Sequence, residues 1–242
     1  MSCAAREEET GDRGRGDWET GGDGGWRQVQ GMARILITSG PTRQHLDPVR
    51  YLTNASSGRM GAAIVQAAVE AGHEVIVVSG PVEVTYSQAA TVAPVVSTDE
   101  MLSECQRVFP ECDGLIGVAA PCDYQPVKVA EHKIHKNGEP LLLHLIETPD
   151  IVATLAAGKR PSQWVVGFAL ETEDQRFRAL AKMEKKSCDL MVLNDSQAIG
   201  SADNAVEVID RAGEVVARWE GAKEAVAARL FALVESRLID RK

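Results

Sequence analysis

Apolar runs alternate along the chain with stretches of helical periodicity. The runs ARILITSG (33–40) and HEVIVVSG (73–80) each end in Ser-Gly, and the apolar stretch AAIVQAAVEAG (62–72) between them closes with Gly72 as a C-terminal cap. Short apolar runs that stop at turn residues are typical of buried strands. This part of the chain therefore predicts a strand, a helix and a second strand.

The same alternation continues downstream. Further buried strands are predicted in the runs DGLIGVAA (113–120), QWVVGFALE (163–171) and DLMVLND (189–195). The helices that precede them are predicted in Thr98–Phe109, TPDIVATLAAG (148–158) and EDQRFRALAKMEKKSC (173–188). The helix at 148–158 is expected to take Thr148 as its cap and Pro149 as its first residue.

The C-terminal pattern completes the predicted fold class. AVEVIDRAGEVVARW (205–219) predicts a hairpin that turns at Ala212-Gly213, and a last helix is expected from Lys223 to Leu238. Continuous apolar strands that alternate with helices predict an α/β fold: a mainly parallel sheet with helices on both faces and the hairpin as an antiparallel edge. Ligands of such sheets bind beyond the carboxyl ends of the strands. The candidate loops are therefore SGPTRQHLDPVRYLTNASSG, AAPCDYQPVKVAEHKIHK, GFALET and LNDSQAIGSADNA.

Residues 1–31 differ from the rest of the chain. They are rich in Gly, Glu, Asp and Arg, and their only aliphatic residue larger than Ala is Val29. Too little apolar surface is available there to offset the entropy lost on ordering, so a disordered extension is predicted, with Trp18 and Trp26 as candidates to dock on a partner. Residues 32–242 are predicted to form a single domain.

Composition and charge exclude several classes of function. The chain has 242 residues and a formal net charge of -9, so it is not expected to bind nucleic acid or an anionic membrane surface. Its five cysteines form no CxxC pair, which predicts free thiols in a reducing compartment and no zinc site. No apolar run approaches the roughly 18 residues of a membrane span. A cytoplasmic protein is expected.

The stretch NASSGRMG (54–61) is typical of a loop that enters a helix. Ser56 and Ser57 are capping candidates, and Gly58 and Gly61 lie on one side of the first turn. Free backbone amides at such a turn bind anions. This turn is therefore a candidate anion site.

A nicotinamide dehydrogenase is the first alternative considered. Tyr124 and Lys128 have the Tyr-x-x-x-Lys spacing of short-chain dehydrogenases, but Pro126 between them disfavours the helix that this spacing requires. No G-x-G-x-x-G follows the first strand, and no acidic residue ends the second. These absences argue against a dinucleotide site.

Residues 33–238 resemble phosphopantothenoylcysteine synthetase of the bacterial, CTP-dependent type. The resemblance rests on several unlike motifs in the same order: ITSGPTRQHLDPVRYLTNASSGRMG, VVSGP, AAPCDY with HKIHK, TPDIV, VVGFALET, KMEKKSCDLMVLND and SADNAV. It implies a Rossmann-like fold, a homodimer and a ligase of coenzyme A biosynthesis. In the reaction that the resemblance implies, the carboxylate of 4'-phosphopantothenate attacks the α-phosphate of CTP, and the L-cysteine amine then displaces CMP from the acyl cytidylate.

The resemblance also implies roles for individual residues. Asn54 and Lys133 are the expected catalytic residues, Lys133 on a mobile flap, and Arg50 and Asn54 are expected to contact the other substrate. The expected CTP ligands are Ser56, Ser57, Gly58, Gly117, Val118, Ala119, Asp123, Lys133, Thr148, Pro149, Asp150, Ile151, Phe168, Lys182 and Lys186. The anion at Ser56–Gly58 is then the nucleotide triphosphate. Mg2+ is expected as a cofactor held mainly by that triphosphate, with no protein ligand assigned.

Alternatives remain open at this point. Cys122 and His135 replace the residues usual in the family and suggest a nucleophile and a base in one loop. A non-catalytic nucleotide-binding homologue would not need Asn54, and the same ligase with ATP is distinguished only by its similarity to CTP-type motifs. Many relatives carry a flavin-dependent decarboxylase domain ahead of this one, so a separate decarboxylase is the expected partner for the next step.

Overall fold

The computed structural model describes residues 18–20, 26–28, 31–170, 175–194 and 203–240. They fall in two compact units, Met1–Gly31 and Met32–Lys242. In the first unit, strand β1 (Trp18–Thr20) pairs antiparallel with strand β2 (Trp26–Gln28). Most other residues of this extension lie outside the described residues, so its overall disorder and the docking of its tryptophans stay predictions.

The second unit contains the remaining strands and all helices that the structure describes. In chain order the strands are β3 (Arg34–Ser39), β4 (Arg43–His45), β5 (Tyr51–Thr53), β6 (Glu74–Ser79), β7 (Thr91–Pro94), β8 (Gly114–Gly117), β9 (Tyr124–Pro126), β10 (Leu145–Glu147), β11 (Trp164–Leu170), β12 (Leu190–Asn194), β13 (Asp203–Asp210) and β14 (Val215–Ala222). The α-helices are α1 (Arg59–Glu70), α2 (Thr98–Val108), α3 (Ile151–Ala157), α4 (Gln175–Lys185) and α5 (Lys223–Val234).

Eight of these strands form one sheet in the order β14-β13-β12-β11-β8-β3-β6-β7. Neighbours from β7 to β12 are parallel, whereas β13 and β14 form an antiparallel hairpin at one edge. Counted along the chain, the parallel part has the doubly wound order of a Rossmann-like fold. The predicted fold class is confirmed. The order reverses between β3 and β8, which is where such sheets bind ligands.

Helices cover both faces of the sheet. On one face α1 and α5 pack together, and Ile64 and Phe231 are buried between them and the strands. On the other face α2 and α3 bury Met101 and Leu155. Complete burial of a large apolar side chain contributes roughly 1.5–3 kcal/mol, so these layers hold the helices against the sheet.

The strands predicted from apolar runs are all present, but three other features are not predicted by the sequence. Strand β7 is short and largely exposed at the sheet edge, so its residues TVAP do not form an apolar run. The ribbons β4–β5 and β9–β10 lie outside the main sheet and are also too exposed to show the pattern of a buried strand.

The start of α1 differs from the predicted serine cap. Gly58 is the N-cap residue, with a φ of 75°, and no side chain caps the helix. The Ser56 hydroxyl instead accepts a weak bond from the Gly58 amide at 3.4 Å. Because a left-handed conformation favours glycine, the chain enters α1 through Gly58, and the prediction that Ser56 or Ser57 caps it is wrong.

The cap of α3 is also corrected. Asp150 is the N-cap residue, and its carboxylate accepts a hydrogen bond from the Ala153 amide at 3.1 Å. Thr148 instead donates its hydroxyl to the carbonyl oxygen of Cys122 at 2.7 Å. The prediction that Thr148 caps the helix and Pro149 begins it is therefore wrong, because a distant carbonyl satisfies Thr148.

The C-terminal elements agree with the predicted order. The hairpin turns at Gly213, whose φ is 79°. Helix α5 gives way after Val234 to a π-helical turn, Glu235–Ile239. In the part of the chain that the structure describes, none of the helices is long and apolar enough to cross a membrane.

Candidate functional site

Two adjoining cavities open at the carboxyl ends of the parallel strands. The first has a volume of about 490 Å³ and lies by the ends of β8 and β11 and the start of α3. The described residues that line it are Thr38, Gly117, Ala119, Pro121, Asp123, Tyr124, Glu147, Thr148, Pro149, Asp150, Ile151, Val152, Phe168, Lys182, Lys185 and Lys186.

The second cavity, also about 490 Å³, lies by the starts of α1 and α5. Residues 54–61 form one of its walls, and Ala169, Leu170, Asn194 and Lys223 contribute to another. The two cavities share the lining residues Ala119, Pro121, Asp123, Phe168, Lys182 and Lys186. They are therefore two parts of one cleft.

The predicted site residues converge on this cleft, with two exceptions. The first cavity receives Gly117 and the turn at residues 148–151, and the second receives Asn54, Val118 and the turn at residues 56–58. Among the described lining residues, Lys133 and Arg50 are absent from both cavities. Parts of the loops GFALET and LNDSQAIGSADNA, residues 171–174 and 195–202, lie outside the described residues.

Two glycines allow close approaches at the cleft. A Cβ on Gly61 would lie 2.1 Å from the Ser39 hydroxyl oxygen, so only glycine lets α1 start directly against the end of β3. A Cβ on Gly117 would lie 2.6 Å from Cγ2 of Val152, which lines the first cavity on α3.

The side chain of Asn54 connects two loops at the second cavity. Its Nδ2 donates a hydrogen bond to the carbonyl oxygen of Pro121 at 2.8 Å, and Ala120 O lies 3.5 Å away. The amide is therefore oriented by the loop after β8. An oriented amide is suited to a precise contact with a reacting carbonyl.

Cys122 lies in the same loop and bonds it to neighbouring residues. Its amide donates to the Thr42 hydroxyl at 2.7 Å, and its buried thiol donates to the Tyr124 carbonyl oxygen at 3.3 Å. His135, by contrast, lies exposed in the segment between β9 and β10. These contacts give Cys122 a structural role and do not favour the nucleophile–base hypothesis.

The dehydrogenase alternative also disagrees with the local structure. Tyr124 begins strand β9, which ends at Pro126, so no helix stacks Tyr124 above Lys128. The proline argument from the sequence is confirmed.

Positive charge lines the junction of the two cavities. Lys182 and Lys186 border both, and the Nζ of Lys186 forms an ion pair with Asp150 at 3.2 Å. Two lysines four residues apart repel one another unless their charge is offset. Asp150 offsets that of Lys186, and the pair remains positioned to hold a polyanion.

Two residues at the second cavity were missed from the sequence. Lys223 is buried, with 8% of its surface exposed, and begins α5; Asn194 ends β12. Loss of hydration on burial and the positive end of the helix dipole both disfavour a cation at a helix N-terminus. A lysine at the predicted start of the last helix was a usable signal, but exposed lysines at such positions are common.

The remaining buried thiols and the acidic side chains that the structure describes form neither a reactive thiolate nor a metal site. Burial raises the pKa of Cys105 and of Cys188 to about 12 and that of Cys112 to about 11, so these thiols stay protonated at neutral pH. All of them are free, as is Cys122, in agreement with the sequence prediction; Cys3 lies outside the described residues. Within the described residues, no three His, Cys, Asp or Glu side chains group closely enough to hold a metal ion.

Comparisons with known proteins agree on one family. The model of the DNA/pantothenate metabolism flavoprotein C-terminal domain matches residues 30–238. The coenzyme A biosynthesis bifunctional protein CoaBC of Vibrio vulnificus (strain CMCP6) is 40% identical over 186 residues, 74% of this chain and 46% of that protein. The protein of the same name from Escherichia coli (strain K12) is 39% identical over 189 residues, 75% of this chain and 47% of that protein.

The chain thus spans about half the length of the curated relatives it matches. Among solved structures, the C-terminal domain of a coenzyme A biosynthesis bifunctional protein CoaBC superposes with a TM-score of 0.74 at 36% identity. That match covers 88% of this chain and 98% of the other. The similarity therefore extends over the whole of that domain.

Proposed function

The chain belongs to the family of the DNA/pantothenate metabolism flavoprotein C-terminal domain, and from this premise we propose that it is a ligase of coenzyme A biosynthesis that joins 4'-phosphopantothenate to L-cysteine with CTP. One observation carries the proposal. Residues from five separate stretches of the chain, at 54–58, 117–123, 148–151, 168 and 182–186, meet in one cleft at the topological switch point.

The first step of the proposed reaction activates the carboxylate. A carboxylate oxygen of 4'-phosphopantothenate attacks the α-phosphorus of CTP, the bond from that phosphorus to the α,β-bridging oxygen breaks, and pyrophosphate leaves. Negative charge grows on the leaving group, and cations beside it lower the barrier. Lys182 and Lys186 at the junction of the cavities are suited to that task.

The second step forms the amide. The neutral amine of cysteine attacks the acyl carbonyl, the bond from carbon to the CMP oxygen breaks, and the proton of the amine passes to solvent. The carbonyl oxygen becomes negative as the amine adds. The oriented Nδ2 group of Asn54 is the proposed donor to that oxygen, with its bond to Pro121 holding it in place.

We assign the two anionic reactants to the two cavities. The nucleotide occupies the first, against Gly117, the turn at 148–151 and Phe168, with its triphosphate on the lysine pair. The turn at Ser56–Gly58 lies in the second cavity together with Asn54, so we assign it the phosphate of 4'-phosphopantothenate. This revises the sequence expectation that this turn holds the triphosphate.

A charge substitution discriminates these two assignments. Ser57→Asp adds a negative charge at the turn, so the KM for 4'-phosphopantothenate should rise with little change in the KM for CTP. A rise in the KM for CTP alone would show that the turn binds the triphosphate, as the sequence suggested.

A homodimer is part of the proposal. Residues 127–144, which we call the arm, connect β9 and β10, and large apolar side chains of the arm and ribbon are strongly exposed: Val127, Val129, Leu141, Leu142, Leu143, Leu145 and Ile146. Clustered exposed apolar residues mark interaction surfaces. A second copy of the chain is the proposed occupant, and a monomer at all concentrations in sedimentation would contradict it.

Mg2+ is also part of the proposal. It would neutralise charge on the triphosphate and would be held mainly by that group, because within the described residues no three His, Cys, Asp or Glu side chains group closely enough to hold a metal ion. Residence in the cytoplasm and a decarboxylation that consumes the product follow from the proposed pathway.

The proposed activity is tested by incubating the chain with 4'-phosphopantothenate, Mg2+ and each nucleoside triphosphate in turn. Pyrophosphate should appear with CTP, and CMP should be released in quantity only after cysteine is added. Activity with ATP in preference to CTP would show that the ligase uses ATP as its nucleotide. Binding of CTP without pyrophosphate release would instead favour the non-catalytic homologue.

A further inference from the structure

Asp47 is a fully buried carboxylate in the short turn between β4 and β5. Its Oδ1 accepts hydrogen bonds from the amides of Val49 and Arg50, both at 2.8 Å. Its Oδ2 accepts from the Arg50 guanidinium, at 2.9 Å from Nε and 2.6 Å from Nη2. A buried charge needs such compensation, and here the turn itself supplies most of it.

The same turn is bonded to the arm. The amide of Ile134 donates to Asp47 Oδ2 at 3.1 Å, and Arg50 Nη2 donates to the Ile134 carbonyl oxygen at 2.5 Å. The Ala130 amide donates to Leu46 O at 2.9 Å. We call these contacts the Asp47 clamp, because they grip both backbone polar groups of Ile134.

Ile134 is where the clamp holds the arm between its two ends, which are joined to each other by the β9–β10 pairing and by the bond from the Val127 amide to the His144 carbonyl oxygen at 3.0 Å. Among residues 131–147, all of which the structure describes, only Ile134 is not classed as exposed. Lys133 directly precedes it. The position of the Lys133 backbone therefore depends on the clamp more than on packing.

The clamp is permanently charged under working conditions. Burial alone would raise the pKa of Asp47, but the amides of Ile134 and Val49 and the Arg50 side chain together hold it well below its usual range. The charge of the Asp47 clamp therefore does not change near neutral pH.

The turn also leads directly to the cleft. Strand β5 follows Arg50 and ends at Thr53, whose hydroxyl donates to Thr42 O at 2.8 Å, and the next residue is Asn54. One short segment thus places Asn54 in the second cavity and forms hydrogen bonds with Ile134, the residue after Lys133. The relative placement of the two expected catalytic residues is set through it.

We propose that Asp47, with Arg50, is a positioning residue for the activation step: it fixes the backbone at Ile134 and thereby the approach of Lys133 to the cleft. This inference rests on the proposed function and on the catalytic role that the family resemblance implies for Lys133, which does not line either cavity in this structure. Asp47 touches no reactant and acts through Lys133. Its loss should therefore weaken nucleotide activation only while Lys133 is present.

A double-mutant cycle tests this dependence in the full chain. First-turnover pyrophosphate release from CTP and 4'-phosphopantothenate is measured for wild type, Asp47→Asn, Lys133→Ala and the double variant. Asp47→Asn alone should slow release roughly 10-fold to 100-fold, the size of effect that misplacement of a catalytic group produces. In the Lys133→Ala background the same substitution should add less than about twofold.

The matched control is Glu104→Gln on α2. Glu104 and Arg107 form an acid–arginine pair at the same spacing, i and i+3, with Nη2 and Oε1 2.5 Å apart. This pair has no contact with the arm among the described residues, so release should stay at the wild-type rate.

Local hydrogen exchange gives a readout independent of activity. Peptides covering residues 130–137 should exchange faster in Asp47→Asn, whereas those of β3 and β8 should be unchanged. Because Asp47 is buried, Arg50→Lys serves as the second variant: a lysine keeps the charge but lacks the planar fork with which Arg50 bonds Asp47 through both Nε and Nη2. It should show the same pattern with a smaller loss.

Three results would overturn the inference. Unchanged exchange at 130–137 would remove the clamp, and a full additional loss from Asp47→Asn in the Lys133→Ala background would give Asp47 a general structural role. A wild-type rate in Asp47→Asn would remove its part in activation. Failure of wild type to release pyrophosphate from any nucleotide would instead overturn the proposed function, and this inference with it.

Discussion

The side-chain amide of Asn54 donates a hydrogen bond to the carbonyl oxygen of Pro121 across 2.8 Å. This bond joins the loop that precedes α1 to the loop that follows β8, and so joins the strands on either side of the switch point. The Asn54 side chain therefore has a defined orientation before any reactant binds.

Asn54→Asp should separate the two steps of the proposed reaction. A carboxylate cannot donate to Pro121 O or to a developing oxyanion, so amide formation should slow about 10²-fold to 10³-fold, the usual cost of one lost oxyanion donor. CTP binding and first-turnover pyrophosphate release should persist. Mass spectrometry of quenched reactions should then show the acyl cytidylate accumulating.

The opposite outcome for this variant is equally clear. If Asn54→Asp fails to bind CTP or to release pyrophosphate, Asn54 serves the nucleotide and its role in the second step is wrong. Asn54→Ser, which keeps a short donor, should recover part of the rate if donation is what matters.

Lys223→Met tests the residue that the sequence did not single out. Removing this buried cation should raise the KM for 4'-phosphopantothenate roughly 10-fold or more, because a hydrogen bond to a charged group contributes about 1.5–3 kcal/mol.

Lys159→Met is the matched control for Lys223. Its Nζ pairs with Asp189 at 2.7 Å, where both side chains are largely buried. This variant should lower the melting temperature and leave both KM values unchanged. A Lys223→Met enzyme with a normal KM and a lowered melting temperature would show that Lys223 is structural.

Gly61→Ala tests the close approach between α1 and β3. The new methyl group would meet the Ser39 side chain at 2.1 Å, and overpacking of this kind destabilises by about 1–3 kcal/mol. Ser39→Gly in the same chain removes the obstructing atoms and should recover much of the loss. Gly158→Ala, where the nearest atom is 3.8 Å away, is the control and should change stability little.

Denaturant unfolding measures this set of variants. Equal destabilisation by Gly61→Ala with and without Ser39→Gly would show that the contact with Ser39 is not the cause.

The parallel sheet and its hairpin edge could be predicted because buried parallel strands require continuous apolar runs, which ARILITSG and HEVIVVSG show, whereas the order of the strands could not. The cap of α3 could not, since Thr148 and Asp150 both qualify by residue type and the choice depends on the distant Cys122 carbonyl. The convergence of Asn54 with the turn at 148–151 required the strand order. Lys223 was missed because burial, not residue type, distinguishes it.

The acid stability of the fold should depend on Asp47. Its folded-state pKa is lowered, so its ionised form stabilises the fold at every pH above the unfolded value of about 3.9, and this contribution is lost as pH falls through the lower folded value. The difference in melting temperature between wild type and Asp47→Asn should be constant from pH 8 to pH 5 and shrink below about pH 4. A difference that changes between pH 8 and pH 5 would contradict this.

Transfer of oxygen from the carboxylate to the nucleotide tests the central claim most directly. 4'-Phosphopantothenate labelled with oxygen-18 in its carboxylate is converted with CTP and cysteine, and the released nucleotide is analysed by mass spectrometry. Attack on the α-phosphorus followed by displacement at the acyl carbon predicts one labelled oxygen in CMP and none in pyrophosphate. Unlabelled CMP, or release of CDP with labelled inorganic phosphate, would contradict the acyl-cytidylate account.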